Sequence, residues 1–174
     1  NGNPEIAKVL IEAGAELNAK HNDGYTALMY AASNGNPEIA KVLIKAGAEI
    51  NAKDNNGYTA LMNAAYYGKP EVTKLLLEAG ANINVKDKKG DTPLSVAQQK
   101  EQYEVSLILK IFSSENNNKE ISLPYLIKKD YTIAANMLIE KGIDINAKDN
   151  YGNTPLMYAA YYGKPEVTKT LIEA

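Results

Sequence analysis

The eleven residues from Asn1 to Ile11 return unchanged at Asn34 to Ile44, 33 residues further along the chain. Variants of the same segment open at Tyr67 and at Tyr162. A period of this size marks stacked supersecondary units, each too small to bury its own apolar face and each covered by its neighbours. The 174 residues are therefore to be divided among copies rather than read as one closed core.

One copy is legible from local chemistry. Asp54 to Gly57 forms a turn cluster, and Thr59 is placed to cap a short helical run that ends near Tyr66. In the parallel copies Thr92-Pro93 and Thr154-Pro155 put proline at the first helical position, where its missing N–H and fixed φ suit a helix start. Gly35, Gly68 and Gly163 then break the chain, and a second helix opens at Asn36-Pro37-Glu38 or Lys69-Pro70-Glu71. Ile39, Val42, Leu43 and Ile44 give that helix an apolar stripe, with Glu38, Lys41 and Lys45 off it. Gly47 ends it, and Glu49 to Lys53 reads as a short extended stretch leading into the next turn, a hairpin-like finger. Helices this short do not persist alone in water, so packing between copies must hold them.

The cycle Asp-x-x-Gly-x-Thr-[Ala/Pro]-Leu-Met-x-Ala-Ala-x-x-Gly, then Pro-Glu-[Ile/Val]-x-Lys-x-Leu-[Ile/Leu], then Ala-Gly-Ala-x-[Ile/Leu]-Asn-[Ala/Val]-Lys, resembles the ankyrin repeat over almost the whole chain. The resemblance implies an all-α ankyrin-repeat solenoid of stacked helix-turn-helix units with short hairpin-like fingers. It divides one array of residues 1–174 into a partial repeat at 1–20, repeats at about 21–53, 54–86 and 87–120, a divergent repeat at 121–148 and a truncated one at 149–174. Where the family commonly has histidine after Thr-Pro-Leu, this chain has Met29, Met62, Ser95 and Met157. That departure removes a polar link between repeats and leaves the fold intact.

The register breaks once. Gly90 and Gly152 lie 62 residues apart, short of two periods, and the loss falls between Lys110 and Ile121. A polar, turn-rich connector from Ile111 to Glu120 stands where a finger is expected, and the helix pair resumes at Ser122 to Lys129 and Thr132 to Glu140. Two readings stand: a tolerated deletion in a surface loop, or a bend that makes a partner-specific site. Phe112, the one phenylalanine, is expected to fill the gap. The chain opens on a second helix and closes without the terminating glycine of the other copies, which suggests a piece of a longer array. Apolar ends of this kind are suited to end-to-end self-association between chains.

Little of the sequence offers chemistry. There is no cysteine and a single histidine, His21, which stands at the turn position held by Asp54, Asp87 and Asp149 elsewhere. A histidine zinc site or a Ser-His-Asp arrangement has nothing further to be built from. The recurring aspartates are explained by turn formation, and no phosphate-binding glycine motif occurs. The expectation is a non-enzyme with no catalytic residue, cofactor or metal. A net charge of −2 gives no footprint for nucleic acid, although Lys86, Lys88 and Lys89 cluster at one finger tip. No apolar run reaches the roughly 20 residues of a membrane span. All nineteen basic residues are lysine, a usage that suits an AT-rich bacterial genome.

The surface is more informative. Tyr25, Tyr58, Tyr66, Tyr67, Tyr151, Tyr161 and Tyr162 fall at finger tips or at the ends of first helices. In the resembled family these positions line a concave partner-binding groove, and tyrosine offers a large amphipathic face at low entropy cost. Asp91, Gln99, Lys100, Lys128 and Lys129 replace the aromatics in the middle copies, so a groove with aromatic ends and a charged centre is expected. The competing reading is that Tyr66 and Tyr161 pack on neighbouring helices and match through duplication alone. The resemblance implies a protein-protein interaction module acting through finger tips and concave face, with Tyr25, Tyr58, Tyr66, Tyr67, Asp91, Lys128, Tyr151, Tyr161 and Tyr162 as the contact set. The alternative is a spacer or autoinhibitory arm of a larger enzyme, toxin or channel.

Overall fold

A computed structural model of the chain describes residues 3–113 and 121–174. Eleven α-helices and no β-strand occur among the described residues. They belong to two compact units, Asn1–Leu109 and Lys110–Ala174. The part of the expected connector from 114 to 120 lies outside the described residues.

In the first unit the first helices of successive repeats are α2 (Ala27–Asn34), α4 (Ala60–Tyr66) and α6 (Pro93–Gln99). The second helices are α1 (Pro4–Glu12), α3 (Pro37–Lys45), α5 (Pro70–Glu78) and α7 (Tyr103–Ser113), the last of which runs past the end of the unit at Leu109. α2, α4 and α6 pack side by side in one row, α1, α3 and α5 in another, and α2 with α3 and α4 with α5 join the rows. The starts are set by capping: Thr26, Thr59 and Thr92 each accept the backbone N–H three residues on, at 3.4, 3.3 and 3.2 Å. Ser95 completes a capping box by accepting Thr92 N–H at 2.8 Å, which gives a role to one departure from the family pattern. Met29 and Met62, at two of the other departures, are buried, whereas Met157, at the last, is exposed.

The core lies between the rows. Leu28, Leu61, Leu76, Ile108 and Leu109 are all buried, and each such side chain contributes about 1.5–3 kcal/mol relative to exposure. Small residues matter as much, because Ala32, Ala40, Ala64 and Ala65 are fully covered and let helices approach closely. In α3 the buried residues are Ala40 and Leu43, whereas Ile39, Val42 and Ile44 of the expected stripe are half-buried.

Two expectations are corrected. Ile111 and Phe112 are not connector: α7 continues through Ser113, because Ile111 extends the buried stripe of Val105, Ile108 and Leu109. Ile111 is buried while Phe112 is 38% exposed, so the isoleucine and not the phenylalanine is the residue that packs. The stretch Glu49 to Lys53 is not extended throughout, since Ala52 N–H donates to Glu49 C=O at 3.3 Å and makes a turn. The finger is nevertheless hairpin-like, closed by Asp54 N–H donating to Tyr58 C=O at 2.9 Å.

The second unit holds α8 (Leu123–Lys129), α9 (Thr132–Glu140), α10 (Pro155–Tyr161) and α11 (Pro165–Glu173). α8 packs on α10 and α9 on α11, and each first helix also packs on the second helix of its own repeat. Ser122 and Thr154 cap α8 and α10. Leu126, Ile127, Leu138, Ala159 and Val167 form the core of this unit.

Candidate functional site

The finger turns are built by one carboxylate each. Asp54 Oδ1 accepts Asn56 N–H and Tyr58 N–H, both at 2.8 Å, and Asp87 Oδ1 accepts Lys89 N–H and Asp91 N–H at the same distance. This fixes Tyr58 and Asp91 beside the capping threonine. His21 does part of the same work, its Nδ1 accepting Asp23 N–H at 3.3 Å. Asp91 is engaged within its own repeat, with Oδ1 accepting Gln99 Nε2 at 2.7 Å and Ser95 Oγ at 3.0 Å.

In the first unit these turns gather aromatic side chains on one face. Tyr25 lies 5.2 Å from the ring of Tyr30, which in turn meets His21 at 6.5 Å. The Tyr25 hydroxyl donates to Asn63 Oδ1 at 2.9 Å, and Asn63 is itself buried, with Nδ2 held by Thr59 C=O at 3.0 Å. Tyr66 and Tyr67 meet edge to face at 4.8 Å, and Lys100 Nζ stands over the Tyr66 ring at 4.4 Å. Burial, then the Asp54 carboxylate and the Tyr67, Tyr30 and Tyr58 phenols, raise the Tyr25 phenol above its ordinary value. Burial, then Asp87 and Asp91, do the same to Tyr58. Tyr25, Tyr30, Tyr58, Tyr66 and Tyr67 thus form one neighbourhood, of which Tyr30 and Tyr67 are the most exposed, at 47% and 50%.

The second unit has its own cluster. Tyr158 stacks on Tyr162 at 6.3 Å, Tyr161 meets Tyr162 edge to face at 5.0 Å, and these rings border a hollow of about 390 Å³ with Met157 and Asn153. Asp149 anchors it: Oδ2 accepts the Tyr158 hydroxyl at 2.7 Å, and Oδ1 accepts Tyr151 N–H at 2.9 Å and Asn153 N–H at 2.8 Å. The Tyr158 hydroxyl above all, then the Asn153 and Tyr151 amides, draw the Asp149 carboxyl down to about 2. Tyr161 is 83% exposed and Tyr151 is 89% exposed with its ring outside the cluster. Lys128 is exposed on the last turn of α8.

Two contributors were not singled out from the sequence, Tyr30 and Tyr158. The signal was present, because both occupy the repeat position of Asn63, at a spacing of 33 residues from Tyr30. That position bonds to the finger of the preceding repeat in Tyr25 to Asn63, and to the turn of its own repeat in Tyr158 to Asp149. No group of three or more potential metal ligands occurs among the described residues, and no helix among them is long and apolar enough to cross a membrane.

The family model described as ankyrin repeats (3 copies) matches residues 1–87 and 46–119, and the one described as ankyrin repeats (many copies) matches residues 123–172. The chain is 44% identical over 59 residues to the ankyrin repeat protein FPV244 of fowlpox virus, covering 32% of this chain and 9% of that protein. It is 47% identical over 58 residues to FPV233 of the same virus, covering 33% and 11%. To the ankyrin repeat domain-containing protein SAT10 of Stachybotrys chartarum it is 49% identical over 35 residues, covering 20% and 2%. The chain therefore spans about a tenth or less of the length of these relatives, which are viral and fungal rather than bacterial.

Proposed function

The chain belongs to the ankyrin-repeat family, and on that premise we propose that it is a non-catalytic module that grips a protein partner with the tyrosine face of its first unit. Ankyrin repeats are generally protein-protein interaction modules. The observation that carries the assignment to this face is the convergence of Tyr25, Tyr30, Tyr58, Tyr66 and Tyr67 around Asn63 and Lys100. Such rings, held by hydroxyl bonds and by each other, present contact area whose ordering cost has already been met by the fold. Tyr161, Tyr162 and Tyr151 supply a second aromatic surface, and Asp91 and Lys128 supply polar contacts. The reading keeps the repeat boundaries drawn from the sequence.

The test is a capture experiment followed by direct titration. Proteins retained by the wild-type chain are identified, and each is then titrated against wild type and against a Tyr30→Ala, Tyr67→Ala variant whose helicity is checked by circular dichroism. Loss of at least about tenfold in affinity, with helicity preserved, is expected for contact aromatics. A partner that binds both proteins equally would remove the tyrosine face from the proposal.

A further inference from the structure

The turns 21–26 and 54–59 of the first unit lie side by side and are locked together. Asn55 N–H donates to Asp23 C=O and Asn55 Nδ2 to Asn22 C=O, both at 2.9 Å. The backbones meet so closely that a Cβ on Gly24 would stand 2.8 Å from Asn55 N. This junction holds Tyr25, Asp54 and Tyr58 in a fixed relation.

Asp54 is 8% exposed, and its two oxygens do different work. Oδ1 accepts the Asn56 and Tyr58 amides of its own turn. Oδ2 accepts no hydrogen bond among the described residues and reaches solvent from a side chain that is otherwise buried. The turns on either side of it, 21–26 and 87–92, are both described, so the groups that border it are known. Asp149, its counterpart in the second unit, shows what this oxygen takes when a donor is at hand: Oδ2 there accepts the Tyr158 hydroxyl at 2.7 Å. At Asp54 the place of Tyr158 is held by Asn63, whose Oδ1 accepts the Tyr25 hydroxyl and whose Nδ2 donates to Thr59 C=O. That amide is spent elsewhere.

The charge at the junction has one sign. Neither turn contains a lysine, and together they carry Asp54 and the exposed Asp23, which has only the His21 imidazole beside it at 3.6 Å. Lysines of the same fingers are committed elsewhere: Lys20 Nζ donates to Lys53 C=O at 3.0 Å, and Lys53 Nζ to Lys86 C=O at 2.9 Å. Burial first and then Asp54 raise the Tyr25 phenol, and Asp54 acts on Tyr58 as well, after burial, Asp87, Asp91 and Tyr66. The rings add their own negative faces. One cation is already seated on this surface, the Lys100 ammonium 4.4 Å over Tyr66.

We propose that the tyrosine face recognises its protein partner through a basic side chain, lysine or arginine, whose cationic head bonds Asp54 Oδ2 beside the rings of Tyr25 and Tyr58. This rests on the reading of that face as the partner surface and adds the chemistry of what it meets. A hydrogen bond from a cation to a carboxylate is roughly twice as strong as a neutral one, and the alkyl stem of a basic residue covers ring surface as the head reaches in. An acidic segment would instead meet Asp23 and Asp54, so the same groups select against it.

The probe is acetylated pentalysine amide, titrated into the whole chain and followed by backbone amide NMR beside the same peptide with every lysine acetylated. Saturable binding of the charged peptide with Kd below about 1 mM is expected at low salt, weakening as salt is added, with shifts centred on Tyr25, Asp54 and Tyr58. The acetylated peptide should not saturate, a comparison made on the ligand and so independent of protein folding. Asp54→Asn keeps an oxygen for the Asn56 and Tyr58 amides and should weaken binding at least about fivefold, whereas Glu12→Gln, the same change of charge on the exposed end of α1, should alter it by less than about twofold. No saturable binding, shifts centred elsewhere, or equal effects of the two variants would each overturn the proposal. A captured partner that loses affinity for the Tyr30→Ala, Tyr67→Ala variant but binds Asp54→Asn as it binds wild type would also overturn it, and would leave the tyrosine face standing.

Discussion

Lys164 Nζ lies 2.9 Å from Asp130 Oδ1, and Asp130 holds a left-handed backbone with φ of 63°. Gly35 and Gly68 occupy the matching place after α2 and α4, with φ of 72° and 61°. Lys69, one repeat on from Asn36, lies over Gly35, so that a Cβ on Gly35 would stand 2.6 Å from Lys69 Cδ. At Asp130 the corresponding lysine is turned into an ion-pair partner. A side chain that is costly in this conformation is thus offset by a contact that glycine could not make.

Two opposing effects act when Asp130 is replaced. Asp130→Gly relieves roughly 1 kcal/mol of backbone cost and forfeits an exposed pair worth about 0–1 kcal/mol, so urea unfolding should report a protein as stable as wild type or more stable by up to about 1 kcal/mol. Asp130→Ala keeps the backbone cost and loses the pair, and should destabilise by about 0–1 kcal/mol, leaving it roughly 1 kcal/mol below Asp130→Gly. Equal stability of the two variants would show that the left-handed conformation is not the controlling term.

Leu61 and Leu156 occupy the same repeat position but not the same environment. Leu61 is 1% exposed and Leu156 is 42% exposed. Leu61→Ala should cost about 2–5 kcal/mol through lost burial and a cavity, whereas Leu156→Ala should cost less than about 1 kcal/mol. Chemical denaturation of both variants decides the matter, and similar losses would contradict the burial difference.

Thr59 is buried and caps α4, while its carbonyl accepts from the equally buried Asn63 amide at 3.0 Å. Thr59→Ala should lower stability by about 1 kcal/mol, and Thr59→Ser by less, because serine retains the accepting oxygen. Native-state hydrogen exchange should show the first turn of α4 opening more readily in the alanine variant. Unchanged protection there would mean the cap is replaced by solvent.

The Asp149 carboxyl is drawn down to about 2 from an ordinary 3.8, chiefly by the Tyr158 hydroxyl. Because the folded state holds the charged form more strongly than the unfolded chain, this contribution is present above the unfolded value and is lost as pH falls from about 4 towards 2. Tyr158→Phe removes the leading donor, so its stability should already have lost that contribution at neutral pH and should fall less over the same acid range. Thermal melts of both proteins between about pH 2 and 5 measure this, and parallel curves would exclude Tyr158 as the cause.

The repeat, the helix starts and the finger turns could be read without coordinates, because each depends on residues within a few positions of one another. Threonine before the first helix, proline at its opening and aspartate four residues ahead of the finger's end act locally, wherever the chain goes next. The tyrosine positions could be read for the same reason, since the period carries them to the same point of every copy.

Burial and contact could not be read in this way. Pro4 to Ile11 and Pro37 to Ile44 are identical in sequence, yet Leu10 is 55% exposed while Leu43 is 5% exposed. Tyr66 and Tyr161 are likewise copies, and one lies half-buried under Lys100 while the other is 83% exposed. Whether Ile111 or Phe112 packs and whether Asn63 meets a neighbouring hydroxyl depend on atoms supplied from about one period away. The sequence alone determined the unit and its internal turns, because those are held by short-range hydrogen bonds. Only the tertiary structure decided which surfaces are covered, because burial belongs to a pair of neighbours and never to one copy.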